Sequence, residues 1–264
     1  MPATLLGPGD PPPFETLNEG SASRVLLVCD HASCRVPAAL GDLGLSETER
    51  TEHIGWDIGA GAVARRLSAL LDAPAILAGY SRLVIDCNRP LGAPDRIPPV
   101  SDTVPVPGNM DLDQAAVDAR IAEIFQPYHD AIAAALDRMS AGGRVPFLVA
   151  VHSFTPQLAD GDPRPWEIGI CWDKDQRMSI PLIERLRTEG LKVGANEPYD
   201  FGVLTDHTLP VHAEHRGLPS LLIEIRNNEI RTPEAVETWA VRLAGHIRAL
   251  LALPDSQRLE YVLD

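Results

Sequence analysis

Arg24–Cys29 reads RVLLVC and is followed at once by Asp30 and His31. A continuous apolar run of this length suits a strand buried on both faces, as in a sheet covered by helices on each side. The next apolar segment changes period. Ile58, Val63, Leu67, Leu70 and Leu71 recur at helical spacing across Ile58–Leu71. Further strands are expected at Leu83–Cys87 (LVIDC), Phe147–Val151 (FLVAV), Glu167–Trp172 (EIGICW) and Ser220–Ile225 (SLLIEI). Helices are expected between and after them. Asp113–Met139 is helical in pattern, and Pro127 should break it or open a second helix. Ile180–Glu189 is amphipathic, with Gly190 where a C-cap belongs. Pro233–Leu253 closes the chain, with Thr232 as N-cap, Pro233 at the first helical position and Pro254 as a stop. Strands alternating with helices give an α/β sandwich with a largely parallel sheet and helices on both faces.

Outside these elements, Pro2–Pro13 is rich in Pro and Gly and reads as a loose arm over the surface. We therefore divide the chain into an N-terminal arm, residues 1–23, and a single domain, residues 24–264. Pro90–Asn109 is proline-rich and should be an irregular surface loop. A loop that long inside a compact domain is often functional. No internal repeat is present.

Composition narrows the function classes. The 264 residues are 45% apolar, enough for a core, and no apolar run has membrane-helix length. No basic stretch followed by an apolar stretch opens the chain, so no secretory signal is expected. The formal net charge of −14 argues against nucleic acid or an anionic membrane as partner. It leaves room for a small acidic substrate held by local arginines. Cys29, Cys34, Cys87 and Cys171 form no CxxC motif and are expected to be unpaired thiols in a cytoplasmic protein.

In open α/β sheets, sites form beyond the carboxyl ends of the strands. The expected strands deliver Asp30 and His31, Asn88 and Arg89, His152 and Ser153, and Glu224, Arg226 and Asn227 to that edge. Either histidine alone could be satisfied by backbone groups. The pair, with an acidic partner, favours a metal. Catalytic zinc typically takes three His or carboxylate ligands and keeps one open position. His31 and His152 supply two. Asp57, at the start of the helix after the first strand, is the first choice for the third, with Glu52 in reserve. Glu224 interrupts an apolar strand and shares a face with Leu222 and Arg226. It is either half of a structural ion pair or a general base beside an activated water. A rival cluster, His207, His212, Glu214 and His215, is one residue short of the His-x-x-Glu-His spacing. We place it in a loop beside the site, with His212 available to contact substrate or transition state. Arg82, Arg89 and Arg226 suit a substrate carrying carboxylates, which a planar guanidinium grips through two hydrogen bonds. The chain lacks a G-x-S-x-G elbow, a phosphate-binding GxxxxGK[ST] loop and a GxGxxG turn.

Several stretches together resemble the N-formylglutamate amidohydrolase family: CDHASCRVP (Cys29–Pro37), HIGWDIGA (His53–Ala60), YSRLVIDCNRP (Tyr80–Pro90), PYHD (Pro127–Asp130), VHSFTP (Val151–Pro156) and HAEHRGLPSLLIEIRNNEI (His212–Ile230). They span most of the chain. The resemblance implies a three-layer α/β/α sandwich around a mixed, largely parallel sheet, related in architecture to the zinc carboxypeptidases. It also implies hydrolysis of an amide with one zinc ion per chain, releasing formate from N-formyl-L-glutamate or a similar small acidic N-acyl amino acid. Carried onto this sequence, His31 and His152 match the metal-binding histidines, Asp57 the acidic position of the helix motif, and Glu224 the general base. In the mechanism expected from these residues, Arg82 or His212 would stabilise the oxyanion, and Asn88, Arg89, Arg226 and Asn227 are the candidates to hold the substrate. Cys34 departs from the polar residue, often Asn, found at its position in similar sequences. A carboxypeptidase-like or other N-acyl deacylase, and a metal-free binding protein for an acidic metabolite, are the rival functions.

Overall fold

In the computed structural model, which describes residues 4–199 and 206–261, the strands are β1 (Phe14–Leu17), β2 (Val25–Cys29), β3 (Ala75–Ala78), β4 (Val100–Ser101), β5 (Val104–Pro105), β6 (Phe147–Phe154), β7 (Ile168–Cys171), β8 (Val193–Ala195) and β9 (Ser220–Arg226). The helices are α1 (Glu47–Thr51), α2 (Ala60–Leu71), α3 (Gln114–Arg120), α4 (Gln126–Ser140), α5 (Ser179–Thr188), α6 (Thr208–His212) and α7 (Pro233–Leu251). Seven strands form one sheet in the order β1-β3-β2-β6-β9-β7-β8. The central run β3-β2-β6-β9 is parallel; β1 pairs antiparallel to β3, β7 antiparallel to β9, and β8 parallel to β7. The sheet is thus mixed and mostly parallel.

Alternate residues of the central strands face opposite layers. Val25, Leu27, Phe147, Val149, Leu221 and Ile223 pack with apolar residues of α2, α5 and α7. Leu26, Val28, Leu148, Ala150 and Leu222 pack with α4, Leu209 of α6 and the segment around Leu83–Cys87. Burial on both faces explains why these strands carry unbroken apolar runs.

The helical expectations hold closely. Thr232 caps α7 through its hydroxyl, which accepts from the Ala235 N–H, and Pro233 opens the helix. The 113–139 region divides into α3 and α4, joined by a π-type turn over Ile121–Phe125, just before Pro127. Proline has no N–H for the helical ladder and its ring crowds the preceding turn, so the change of pitch belongs there.

One expected strand is corrected. Leu83–Cys87 is an irregular, buried turn, not a strand. Its carbonyls are satisfied by side chains in place of a neighbouring strand. Arg120 Nη1 donates to the Val84 carbonyl at 2.9 Å, and Asn109 Nδ2 to the Leu83 carbonyl at 2.8 Å. Buried backbone groups need partners of some kind, and a short apolar run does not reveal which. The strand beside β2 is instead Ala75–Ala78, which is short and half alanine. The Pro90–Asn109 loop is irregular apart from the β4–β5 hairpin and a short turn at Pro107–Asn109. All four cysteines are free. Burial pushes the Cys29, Cys87 and Cys171 thiols well up, which argues against a nucleophilic role.

Candidate metal centre

The chemistry-bearing side chains meet at the carboxyl ends of β2, β6 and β9. Asp30 and His31 follow β2 directly. His152 lies in β6 and is the register partner of Glu224 in β9. Asp57 reaches the same point because its backbone N–H donates to the His31 carbonyl at 3.0 Å, which folds the approach to α2 back over the strand end. Gly59 makes that turn possible. It adopts φ +86°, and a Cβ there would lie 2.7 Å from the Ile230 carbonyl oxygen.

His31 Nδ1 and His152 Nδ1 both point at Asp57 Oδ2, at 3.3 and 2.8 Å. Ligand atoms of these three buried residues all lie within 4.8 Å of one another. The opposite ring nitrogens are also held. His31 Nε2 donates to Asp86 Oδ1 at 2.7 Å, and His152 Nε2 to Asp30 Oδ2 at 2.9 Å. Asp30 is fixed in turn by the hydroxyls of Tyr128 at 2.9 Å and Thr208 at 2.7 Å. Arg82 Nη2 donates to Asp86 Oδ2 at 2.7 Å, and its Nη1 stands 3.6 Å from Asp57 Oδ1.

The electrostatics follow from this packing. Burial opposes charge on both rings, but the surrounding carboxylates win, so the His31 pKa is raised and that of His152 is raised well above the imidazole range. Asp30, Asp57 and Asp86 are likewise buried, yet the facing cations hold each below the usual carboxylate range. Each ring is therefore set between two carboxylates. His31, Asp57 and His152 would be the residues to hold a divalent cation, with Asp86 and Asp30 accepting from the far ring nitrogens. The donor set of two imidazoles and one carboxylate fits zinc, and each ring has the outer carboxylate partner usual for a metal-bound histidine.

Glu224 lines the same cavity. It is 6% exposed, and its Oε2 has no hydrogen-bond partner among the described residues. Burial, reinforced by Asp57 and Asp206 against the pull of His152, pushes its pKa up to about 8. Arg82, Asn88, Arg89, Tyr199 and Asp206 complete the polar wall. Asn88 Oδ1 accepts from the His207 and Thr208 N–H groups at 3.1 and 3.0 Å. Arg89 Nη1 donates to Asp206 Oδ1 at 2.9 Å. Burial lifts the Tyr199 hydroxyl to about 12, so it stays protonated as a donor.

The structure therefore gathers His31, Asp57, His152, Glu224, Arg82, Asn88 and Arg89 in one cavity. Three expected site residues lie outside its lining. Arg226 donates to Glu229 Oε1 at 2.6 Å and Asn228 Oδ1 at 2.8 Å. Its ion pair is with Glu229, so the alternative reading of Glu224 as half of a structural pair with Arg226 is not met. Asn227 is buried in the turn after β9. His212 is paired with His129, Nε2 to Nδ1 at 2.9 Å, with the rings stacked. Glu52 is exposed and stands apart from the cluster. Asp86 and the pairing role of Asp30 were not anticipated, although an acid inside LVIDC and another in CDH were visible signals. Tyr199 and Asp206 carried no signal, since neither ends a strand.

The profile of the N-formylglutamate amidohydrolase family matches residues 23–231. A search of curated proteins gives no match. The chain is similar to the crystal structure of an Agrobacterium tumefaciens gene product, with 37% identity, coverage of 94% of this chain and 98% of that one, and a TM-score of 0.89. It shares its fold with an N-formylglutamate amidohydrolase from Ralstonia eutropha, at 20% identity, with coverage of 90% of this chain and 99% of that one, and a TM-score of 0.64. By the extent of the profile match and the likeness to the Agrobacterium protein, this chain belongs to the N-formylglutamate amidohydrolase family of amide hydrolases.

Proposed function

We propose that the chain is a zinc-dependent hydrolase that cleaves the amide of a small acidic N-acyl amino acid, with N-formyl-L-glutamate as the first substrate to test. The observation that carries this reading is the convergence of both Nδ1 atoms on Asp57 while Asp86 and Asp30 hold the far side of each ring. His31, Asp57 and His152 would hold one zinc ion, which when bound supplies a Lewis acid and a water acidified toward neutrality. Glu224 faces the same space with a free carboxylate oxygen. A cation held by His31, Asp57 and His152 would favour the ionised form of Glu224, which then takes a proton from the attacking water and returns it to the departing amine nitrogen. Arg82, held by Asp86, keeps a fixed positive charge beside the cluster and stabilises the developing oxyanion. Arg89 and Asn88 hold the substrate carboxylate.

Metal content and formate release from N-formyl-L-glutamate, with and without a chelator, test this directly. About one zinc per chain is expected for a single catalytic site, with release abolished by the chelator and restored by zinc. No metal, and no gain on adding zinc, would defeat the proposal.

A further inference from the structure

Two guanidinium groups line the cavity, and they differ in what already holds them. Arg82 is committed to Asp86 and Asp57 within the metal cluster. Arg89 makes two carboxylate contacts of its own: Nε donates to Asp95 Oδ2 and Nη1 to Asp206 Oδ1, both at 2.9 Å. The Asp95 side chain is 54% exposed, so water screens that contact. The Asp206 side chain is 12% exposed and lines the cavity itself. Nη1 also donates to the Asn88 carbonyl at 3.1 Å. Guanidinium has five N–H donors. Among the described residues Arg89 thus keeps donors at Nη2, while its charge is already matched from within the cavity.

Given the N-acyl amino acid reading, on which this rests, we infer that Asp206 is a specificity residue. It leaves Arg89 able to grip one substrate carboxylate and sets a negative charge beside the place where a second would come. The preferred substrate is then an N-acyl amino acid with a single carboxylate and an uncharged side chain able to donate a hydrogen bond to Asp206. A second carboxylate must either displace Asp206 from Arg89 or lie beside it. Like charges side by side in a buried site are strongly disfavoured, and specificity is commonly built by such repulsion. A carboxamide or hydroxyl side chain meets no such penalty and offers the donor that Asp206 accepts.

N-formyl-L-glutamate and N-formyl-L-glutamine are nearly isosteric and differ at the side-chain charge. Calorimetric titration of zinc-supplemented Glu224→Gln protein, in which turnover is suppressed, gives a Kd for each. The same titrations follow with Asp206→Asn or Asp206→Glu added, and Asp206→Ser replaces Asp206→Asn if the latter does not fold. The glutamine ligand is expected to bind more tightly to the Glu224→Gln parent. Asp206→Asn should move the ratio of the two Kd values about tenfold or more toward glutamate, and Asp206→Glu should retain the parental preference. With both ligands bound, a ratio unmoved by Asp206→Asn, or tighter glutamate binding by the parent, overturns the role of Asp206 alone. Binding of neither ligand by the parent overturns the N-acyl amino acid reading and this inference with it.

Discussion

His152 and Glu224 stand opposite one another on adjacent parallel strands, as register partners of β6 and β9. Strand neighbours on one face lie close enough for their side chains to interact. The pairing therefore puts a candidate metal ligand and a candidate base side by side on two rigid elements, a placement no loop could hold as firmly.

Glu224→Gln should leave metal content unchanged and lower kcat by about 10²–10⁴, the range for a lost acid–base group. Folding stability should stay near that of wild type, because burial already favours the neutral form of Glu224 and the amide that replaces it is neutral too. Metal analysis, turnover and a denaturant titration of one preparation check all three. Near-wild-type turnover would remove Glu224 from the mechanism.

Asp86→Asn and Asp30→Asn each loosen the far side of a ring, His31 in the first case and His152 in the second. Loss of such partners typically weakens metal binding about 10–100-fold. Zinc affinity measured by competition with a chromogenic chelator should fall in both variants. Asp30→Asn should also lose more thermal stability, since Asp30 further accepts from Tyr128 and Thr208.

The His129–His212 pair predicts a pH effect on stability. His129 Nε2 faces the Cys87 carbonyl at 2.8 Å. A carbonyl only accepts, so Nε2 carries the proton and Nδ1 is left to accept from His212 Nε2. Burial, with the neighbouring histidines, lowers His129 to about 3 and His212 to about 4. As pH falls through the unfolded value of about 6.5, protons bind the unfolded chain first. The contribution of the pair is therefore full above that pH and declines toward pH 4. The Tm advantage of wild type over His129→Gln/His212→Gln should shrink between pH 7 and 4.5. A constant difference would show that these rings titrate normally.

Arg120 is 1% exposed and binds the Val84 carbonyl, Asn109 Oδ1 and the Gly108 carbonyl. Arg120→Ala strands these acceptors, at a cost of about 2–4 kcal/mol from lost hydrogen bonds to buried groups. It should also lower metal affinity, because the turn it supports carries Asp86. Urea denaturation and the chelator competition measure the two effects, and an unchanged urea midpoint would refute the structural role.

Sequence reading reached the strand ends well. RVLLVC, FLVAV and SLLIEI are buried on both faces, so nearly every side chain in them must be apolar, and Asp30, His31, His152 and Glu224 stand out as exceptions. It failed on LVIDC for the same reason. Its apolar residues are equally buried, but side chains of Arg120 and Asn109 replace the ladder, and burial alone does not distinguish the two. The partners of Arg226 and His212 were not legible, because local spacing shows which face a residue shares, not which partner claims it. Glu229 and His129 claim them.

The sequence by itself determined the class of fold, the carboxyl edge on which the chemistry gathers, and the residue types at that edge. These follow from periodicity and from the cost of burying polar groups, both local properties of the chain. Tertiary structure alone decided that Asp57 closes the cluster with both histidines, that Asp86 and Asp30 back the rings, and that Asp206 holds Arg89. Each of these contacts joins residues far apart in the chain, and only the packing of β2, β6 and β9 with the segments around them brings their atoms within hydrogen-bond reach.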